Sequence, residues 1–181
     1  MNSIRRVISV VVTDEHGVLS RISGLFAGRG YNIDTLTVAP IPNTGLSRLS
    51  IVTSGDERVI EQITKQLHKL IPVYKVIDDA KFVEKEMVLV KIALGENLAG
   101  LDAVLKAYNG SIANSDDSKI VIMACDDADR IDGFLKTIKK YNPIDVVRGG
   151  SVALDMYAAI KFNQRSANEV IKNCRNFKHR A

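Results

Sequence analysis

The chain has 181 residues and a mass of 19.9 kDa, room for one ordinary domain or two small ones. Apolar residues make up 46% and charged residues 25%, which excludes a largely disordered chain, a collagen-like repeat and a polytopic membrane protein. The net charge of +4 sits at one end: residues 156–181 hold six Lys and Arg against one acid, Glu169, leaving 19 bases and 20 acids elsewhere.

Ile4–Thr13 is β-branched and mostly apolar and predicts a strand. Its run Val7–Val12 is far shorter than the ~20 residues needed to cross a bilayer, and no basic-then-apolar leader opens the sequence. Asp14-Glu15-His16-Gly17 breaks the strand. A stripe of Val18, Ile22, Leu25 and Arg29, with Leu19 and Phe26 beside it, predicts a helix that Gly30 ends as a C-cap. Ile33–Ala39 reads as a second strand stopped by Pro40, Ile41–Gly45 as a turn and Ser47–Ser54 as a third strand. Val59, Ile60, Ile63, Leu67 and Leu70 mark a second helix, and Val73–Ile77 a fourth strand.

After the polar stretch Asp78–Glu86 the order returns. Met87–Leu94 is a strand, Leu98, Leu101, Val104, Leu105 and Tyr108 form a helical stripe, and Ile112 starts a short strand. Ser115–Ser118 is a turn and Ile120–Cys125 a strand. Ile131, Phe134, Leu135, Ile138 and Tyr141 form the last stripe, ended by Asn142-Pro143, and Ile144–Arg148 closes the unit. The class is α+β, with two ferredoxin-like βαββαβ units in tandem at residues 1–78 and 83–155, then a basic tail at 156–181.

Where the first strand meets the first helix, Asp14-x-x-Gly17 precedes backbone N–H groups that a helix start leaves unpaired. Gly17 lacks a Cβ, so a carboxylate can approach the amides of Gly17, Val18 and Leu19. Asp14 can cap the helix or receive an ammonium group, and Asn32 both donates and accepts. Together these groups suit an amino-acid zwitterion. A capping Asp and a turn Gly that bind nothing are the commoner reading of such spacing. The second strand, Thr35-Leu36-Thr37-Val38, lies on a sheet edge and carries no charge, which fits pairing with a second copy. Burial under the second unit is the other reading.

His16, His68 and His179 have no metal-ligand spacing, and no nucleophile elbow, P-loop or G-x-G-x-x-G fingerprint is present. Asp116-Asp117 and Asp126-Asp127 read as turn and capping acids. Leu46–Thr53 holds no aromatic residue, so the sheet is no base-stacking platform and no nucleic acid is expected. Cys125 and Cys174 read as free thiols of a cytoplasmic protein.

Asp14-x-x-Gly17-x-Leu19-x-Arg21-x-x-Gly24-Leu25-Phe26-x-x-Arg29-Gly30-Tyr31-Asn32-Ile33 resembles the opening of the ACT domain in the regulatory (small) subunits of acetohydroxyacid synthase, also called acetolactate synthase. The likeness continues through Leu36-Thr37-Val38-Ala39-Pro40, Leu46-Ser47-Arg48 and Glu61-Gln62-Ile63-x-Lys65-Gln66-Leu67. In the second unit it covers Val83-Glu84-x-Glu86-x-x-Leu89-Val90-Lys91 and Ile131-Asp132-x-Phe134-Leu135.

The resemblance implies a chain with no catalytic site and no cofactor of its own. Its partner, the catalytic subunit, would hold thiamine diphosphate, Mg²⁺ and FAD and condense 2-ketoacids on the route to branched-chain amino acids. The small subunit would stimulate that partner and confer feedback inhibition by valine, or by leucine or isoleucine. Effector contacts would fall on Asp14, Gly17, Val18, Leu19, Asn32 and Ile33, the last two supplied across a homodimer interface. Many members carry Asn where Asp14 stands. In the second unit the first turn, Gly95-Glu96-Asn97, is less ACT-like and supports no pocket. A stand-alone amino-acid sensor or adaptor acting on another partner is the alternative. The tail, with an apolar stripe of Val170, Ile171, Cys174 and Phe177, departs from the family and reads as packed on its own domain or solvated.

Overall fold

The structure is a computed structural model that describes residues 3–78, 80–95 and 97–156. The expected tail helix with Cys174, and His179, lie outside the described residues. The first βαββαβ order is β1 (Ile4–Thr13), α1 (Val18–Gly28), β2 (Thr35–Ile41), β3 (Leu46–Gly55), α2 (Glu57–His68) and β4 (Val73–Ile77). The second is β5 (Phe82–Ala93), α3 (Leu101–Ala107), β6 (Gly110–Ser115), β7 (Lys119–Asp126), α4 (Ala128–Ile138) and β8 (Asp145–Arg148), followed by β9 (Val152–Asp155). Strand orders are β2-β3-β1-β4 and β6-β7-β5-β8, with β9 added to β5. The α+β class and the repeated ferredoxin-like unit are as the sequence predicts. The described residues divide into two compact units, one of residues 3–83 with 153–156, the other Glu84–Val152.

Alternation builds the first core. Ile8, Val10 and Val12 of β1 and Leu49 and Ile51 of β3 turn one face of the sheet toward Val18, Ile22 and Phe26 of α1 and Ile60, Ile63 and Leu67 of α2. Each fully buried Val, Leu, Ile or Phe contributes about 1.5–3 kcal/mol. Arg29, placed by spacing on the buried stripe, is instead the exposed C-cap of α1, and Phe26 takes the core position. On the other sheet face Val7 and Val52 pack with Phe82 and Ala153, and the Ala153 N–H donates to Ser50 Oγ at 3.2 Å.

Several boundaries differ from expectation. β2 runs through Pro40 to Ile41, because an edge strand tolerates proline where a central strand does not. β5 begins at Phe82 rather than Met87. Its charged start is compatible with pairing because each acid is answered: Arg148 Nε donates to Glu86 Oε2 at 2.7 Å, and Ser151 Oγ lies 2.6 Å from Glu84 and 2.7 Å from Glu86. α3 starts only at Leu101, after Gly100 in the left-handed region, so Leu98 lies before the helix.

Asp126 is not a cap. It is buried and accepts hydrogen bonds from Lys85 (2.8 Å), Asn109 (3.1 Å) and Arg130, tying β5, the α3–β6 turn and α4 together. The Lys85 ammonium, then the Arg130 guanidinium, hold its carboxyl well below the usual range. A folded-state pKa below the unfolded value of ~3.9 means that this stabilisation is complete above about pH 4 and is lost as pH falls through the acid range. Asp126→Asn is expected to destabilise the chain by about 2 kcal/mol at pH 7 and to flatten the acid limb of its stability curve. Urea unfolding of both proteins at pH 7 and pH 3 checks this; identical curves would refute it.

Candidate functional site

The turn after β1 is held by its neighbours. The Thr13 N–H donates to the Pro72 carbonyl (2.9 Å) and the Asp14 N–H to the Gly45 carbonyl (3.0 Å). Gly17 is the N-cap of α1 at φ 81°, ψ −1°, a conformation that costs side-chain-bearing residues strain. No side chain caps the helix, so Asp14 does not act as its cap. Its Oδ1 instead accepts from Ser47 Oγ at 3.1 Å, leaving Oδ2 as a further acceptor. The Val18 amide reaches the Glu15 carbonyl only at 3.4 Å, and the Gly17 and Leu19 amides have no hydrogen-bond partner among the described residues. A Cβ built on Gly17 would meet nothing within 4 Å. The turn is an open nest of N–H groups at the positive end of an 11-residue helix, suited to a carboxylate.

Asn32 and Ile33 precede β2, beyond the far end of α1. The Asn32 carbonyl accepts from Thr53 Oγ1 at 2.6 Å and its Nδ2 donates to Asp34 Oδ1 at 2.6 Å. Asp34 is braced in turn by Ser54 Oγ (2.5 Å) and through its own N–H by the Val52 carbonyl (2.8 Å).

These two groups of residues do not meet within one copy. Eleven residues of helix separate them by about 16 Å at 1.5 Å per residue. The sheet register agrees: Thr13 pairs with Leu46 and Leu46 with Ile41, whereas Thr35 pairs with Val52 and Val52 with Val7. Val7 and Thr13 are about 20 Å apart along β1. The Asp14–Leu19 turn therefore stands at the end of β2, and Asn32–Ile33 at its beginning.

Thr35, Leu36, Thr37 and Val38 lie on β2, the edge of its sheet. Leu36 packs against the core, while Val38 is 46% exposed. The opposite edge, β4, carries Lys75 and follows Pro72, so of the two edges of this sheet β2 is the uncharged one.

Asp34, Ser47, Thr53 and Ser54 escaped sequence reasoning because their roles depend on pairing across strands far apart in the chain. A second signal was legible. Asn97-x-x-Gly100 repeats the spacing of Asp14-x-x-Gly17, Tyr108-Asn109 repeats Tyr31-Asn32, and Gly100 has φ 79°. That turn has a neighbour that the Gly17 turn lacks: a Cβ on Gly100 would lie 3.7 Å from the Tyr141 hydroxyl, which donates to the Ala99 carbonyl at 3.2 Å. A separate surface cleft of about 660 Å³, lined by Arg6, Asp56, Glu57, Arg58, Ile60, Glu61 and Asp78, includes none of the predicted effector residues.

Residues 8–75 match the ACT domain of the acetohydroxyacid synthase small-subunit type, and residues 85–157 match the small subunit of acetolactate synthase. The acetolactate synthase isozyme 3 small subunit of Salmonella typhimurium is 41% identical over 155 residues, covering 83% of this chain and 95% of that protein. The chain belongs to the acetolactate synthase small-subunit family. The family's small subunit from Aquifex aeolicus is 36% identical over 162 residues, covering 87% of this chain and 84% of that one. The crystal structure of the Thermotoga maritima small subunit superposes with a TM-score of 0.78 at 29% identity, covering 86% of this chain and 99% of that one. The family assignment thus spans both units. No helix of the described residues is long and apolar enough to cross a membrane.

Proposed function

We propose that this chain is a regulatory subunit without a catalytic site of its own. It stimulates the large subunit of acetolactate synthase in the cytoplasm and transmits feedback inhibition by valine, leucine or isoleucine. Thiamine diphosphate, Mg²⁺ and FAD belong, on this reading, to the large subunit.

One observation supports the effector part: the Asp14–Leu19 turn and Asn32–Ile33, read as two half-sites, stand at opposite ends of an uncharged edge strand. If β2 pairs antiparallel with β2 of a second copy, the beginning of one strand lies against the end of the other. Asn32 and Ile33 of one copy then approach Asp14, Gly17, Val18 and Leu19 of its partner. The amides receive the effector carboxylate, and Asp14 and Asn32 offer acceptors for its ammonium group. A homodimer so joined has two equivalent sites, as twofold symmetry requires.

Reconstitution tests the reading. The purified chain should form no acetolactate from pyruvate, raise the activity of the large subunit, and make the complex sensitive to one of the three amino acids. Synthesis by the chain alone, or absence of stimulation, would overturn it.

A further inference from the structure

We propose that Asp34 is a positioning residue that turns the Asn32 side chain so that its carbonyl oxygen, rather than its amide nitrogen, faces the effector. This rests on the amino-acid reading above and adds what makes Asn32 an acceptor there. An ionised carboxylate only accepts hydrogen bonds, so the Asn32 atom 2.6 Å from Asp34 Oδ1 must be the nitrogen, and Oδ1 of Asn32 is left pointing away from it. The arrangement is held at three points. The Thr53 hydroxyl, fully buried, fixes the Asn32 backbone; the Ser54 hydroxyl occupies the second oxygen of Asp34; and the Asp34 N–H is paired to β3.

An unbraced Asn presents either end and suits a carboxylate or an ammonium equally. A braced one presents an acceptor, and an acceptor selects the ammonium. The Asp14 carboxylate is a second acceptor, while the N–H groups at Gly17–Leu19 are the donors. The turn thus offers N–H donors for the carboxylate and one acceptor, and Asn32 adds a second acceptor from the other half-site, which sets the orientation of a zwitterion and discriminates against an acid that lacks the amine.

The test is calorimetric titration of the full-length chain with L-valine and with 3-methylbutanoate, the same skeleton without the ammonium group. The wild type should bind valine at least tenfold more tightly. Asp34→Ala should weaken valine binding about tenfold and bring the two affinities together, because Asn32 is then free to turn its amide toward either ligand. Ser54→Ala, which loosens the brace without touching Asn32, should shift the ratio the same way by less, and Asp34→Glu should restore it. A preference unchanged in Asp34→Ala overturns the proposal, as does an equal loss of both ligands, which a merely structural role would produce. A wild type that binds none of valine, leucine and isoleucine overturns the effector reading itself, and this inference with it.

Discussion

Gly17→Asp is expected to give a folded chain that still stimulates the large subunit but leaves the complex insensitive to valine. The substitution puts a carboxylate at the mouth of the nest formed by the Gly17, Val18 and Leu19 amides. Space is available, since a Cβ there meets nothing within 4 Å. The conformation is the obstacle: φ of 81° costs an L-residue about 1–2 kcal/mol, and Asp is among the side chains that tolerate it best. An acid at a helix N-terminus otherwise interacts favourably with the dipole, so the fold should survive. The effector's carboxylate, by contrast, meets a like charge and loses its amides. One charge-assisted hydrogen bond is worth about 1.5–3 kcal/mol, and allosteric couplings are typically about 1–3 kcal/mol, so one substitution suffices to abolish inhibition. Gly17→Ala separates the causes, because it adds the strain without the charge and should retain partial sensitivity. Synthase activity of the reconstituted complex across a valine titration decides the matter. Unchanged inhibition in Gly17→Asp would place the effector elsewhere, and lost stimulation would show that this turn touches the large subunit.

Val38→Lys is expected to convert the protein to monomers and to lower its affinity for valine at least tenfold. Antiparallel pairing that sets the beginning of one β2 against the end of the other centres on Val38, the middle residue of Thr35–Ile41. The new ammonium groups of the two copies would then stand side by side, and like charges directly opposite one another oppose strand pairing. Val38 is 46% exposed in the single chain, so the folded monomer should tolerate the change. Leu36→Lys is the poorer choice, because Leu36 packs against the core and the charge would destabilise the unit itself. Sedimentation equilibrium measures the association, and calorimetry on the same sample measures valine binding. A variant that stays dimeric rules out the β2 edge as the junction. A monomer that binds valine as tightly as wild type would show that each copy holds a complete site.

The sequence by itself determined the architecture. The β-branched, mostly apolar run Ile4–Thr13 and the stripe of Val18, Ile22 and Leu25, with Leu19 and Phe26 beside it, read as a strand and a helix with apolar faces to bury, and the same order of elements recurs after Asp78. Asp14-x-x-Gly17 marked the open turn because only glycine takes φ near 80° without strain and leaves the amides uncovered. Tertiary structure decided what those local signals left open. Arg29 leaves the stripe because Phe26, one turn back, fills the core, and β5 starts early because Arg148 and Ser151, more than sixty residues on, answer Glu84 and Glu86. It also placed Asp14–Leu19 and Asn32–Ile33 at opposite ends of β2 and set Thr53 and Ser54 against Asn32 and Asp34. Local patterns encode which face of an element is apolar. Which polar groups meet depends on strand order and register, and these are fixed by the whole core at once.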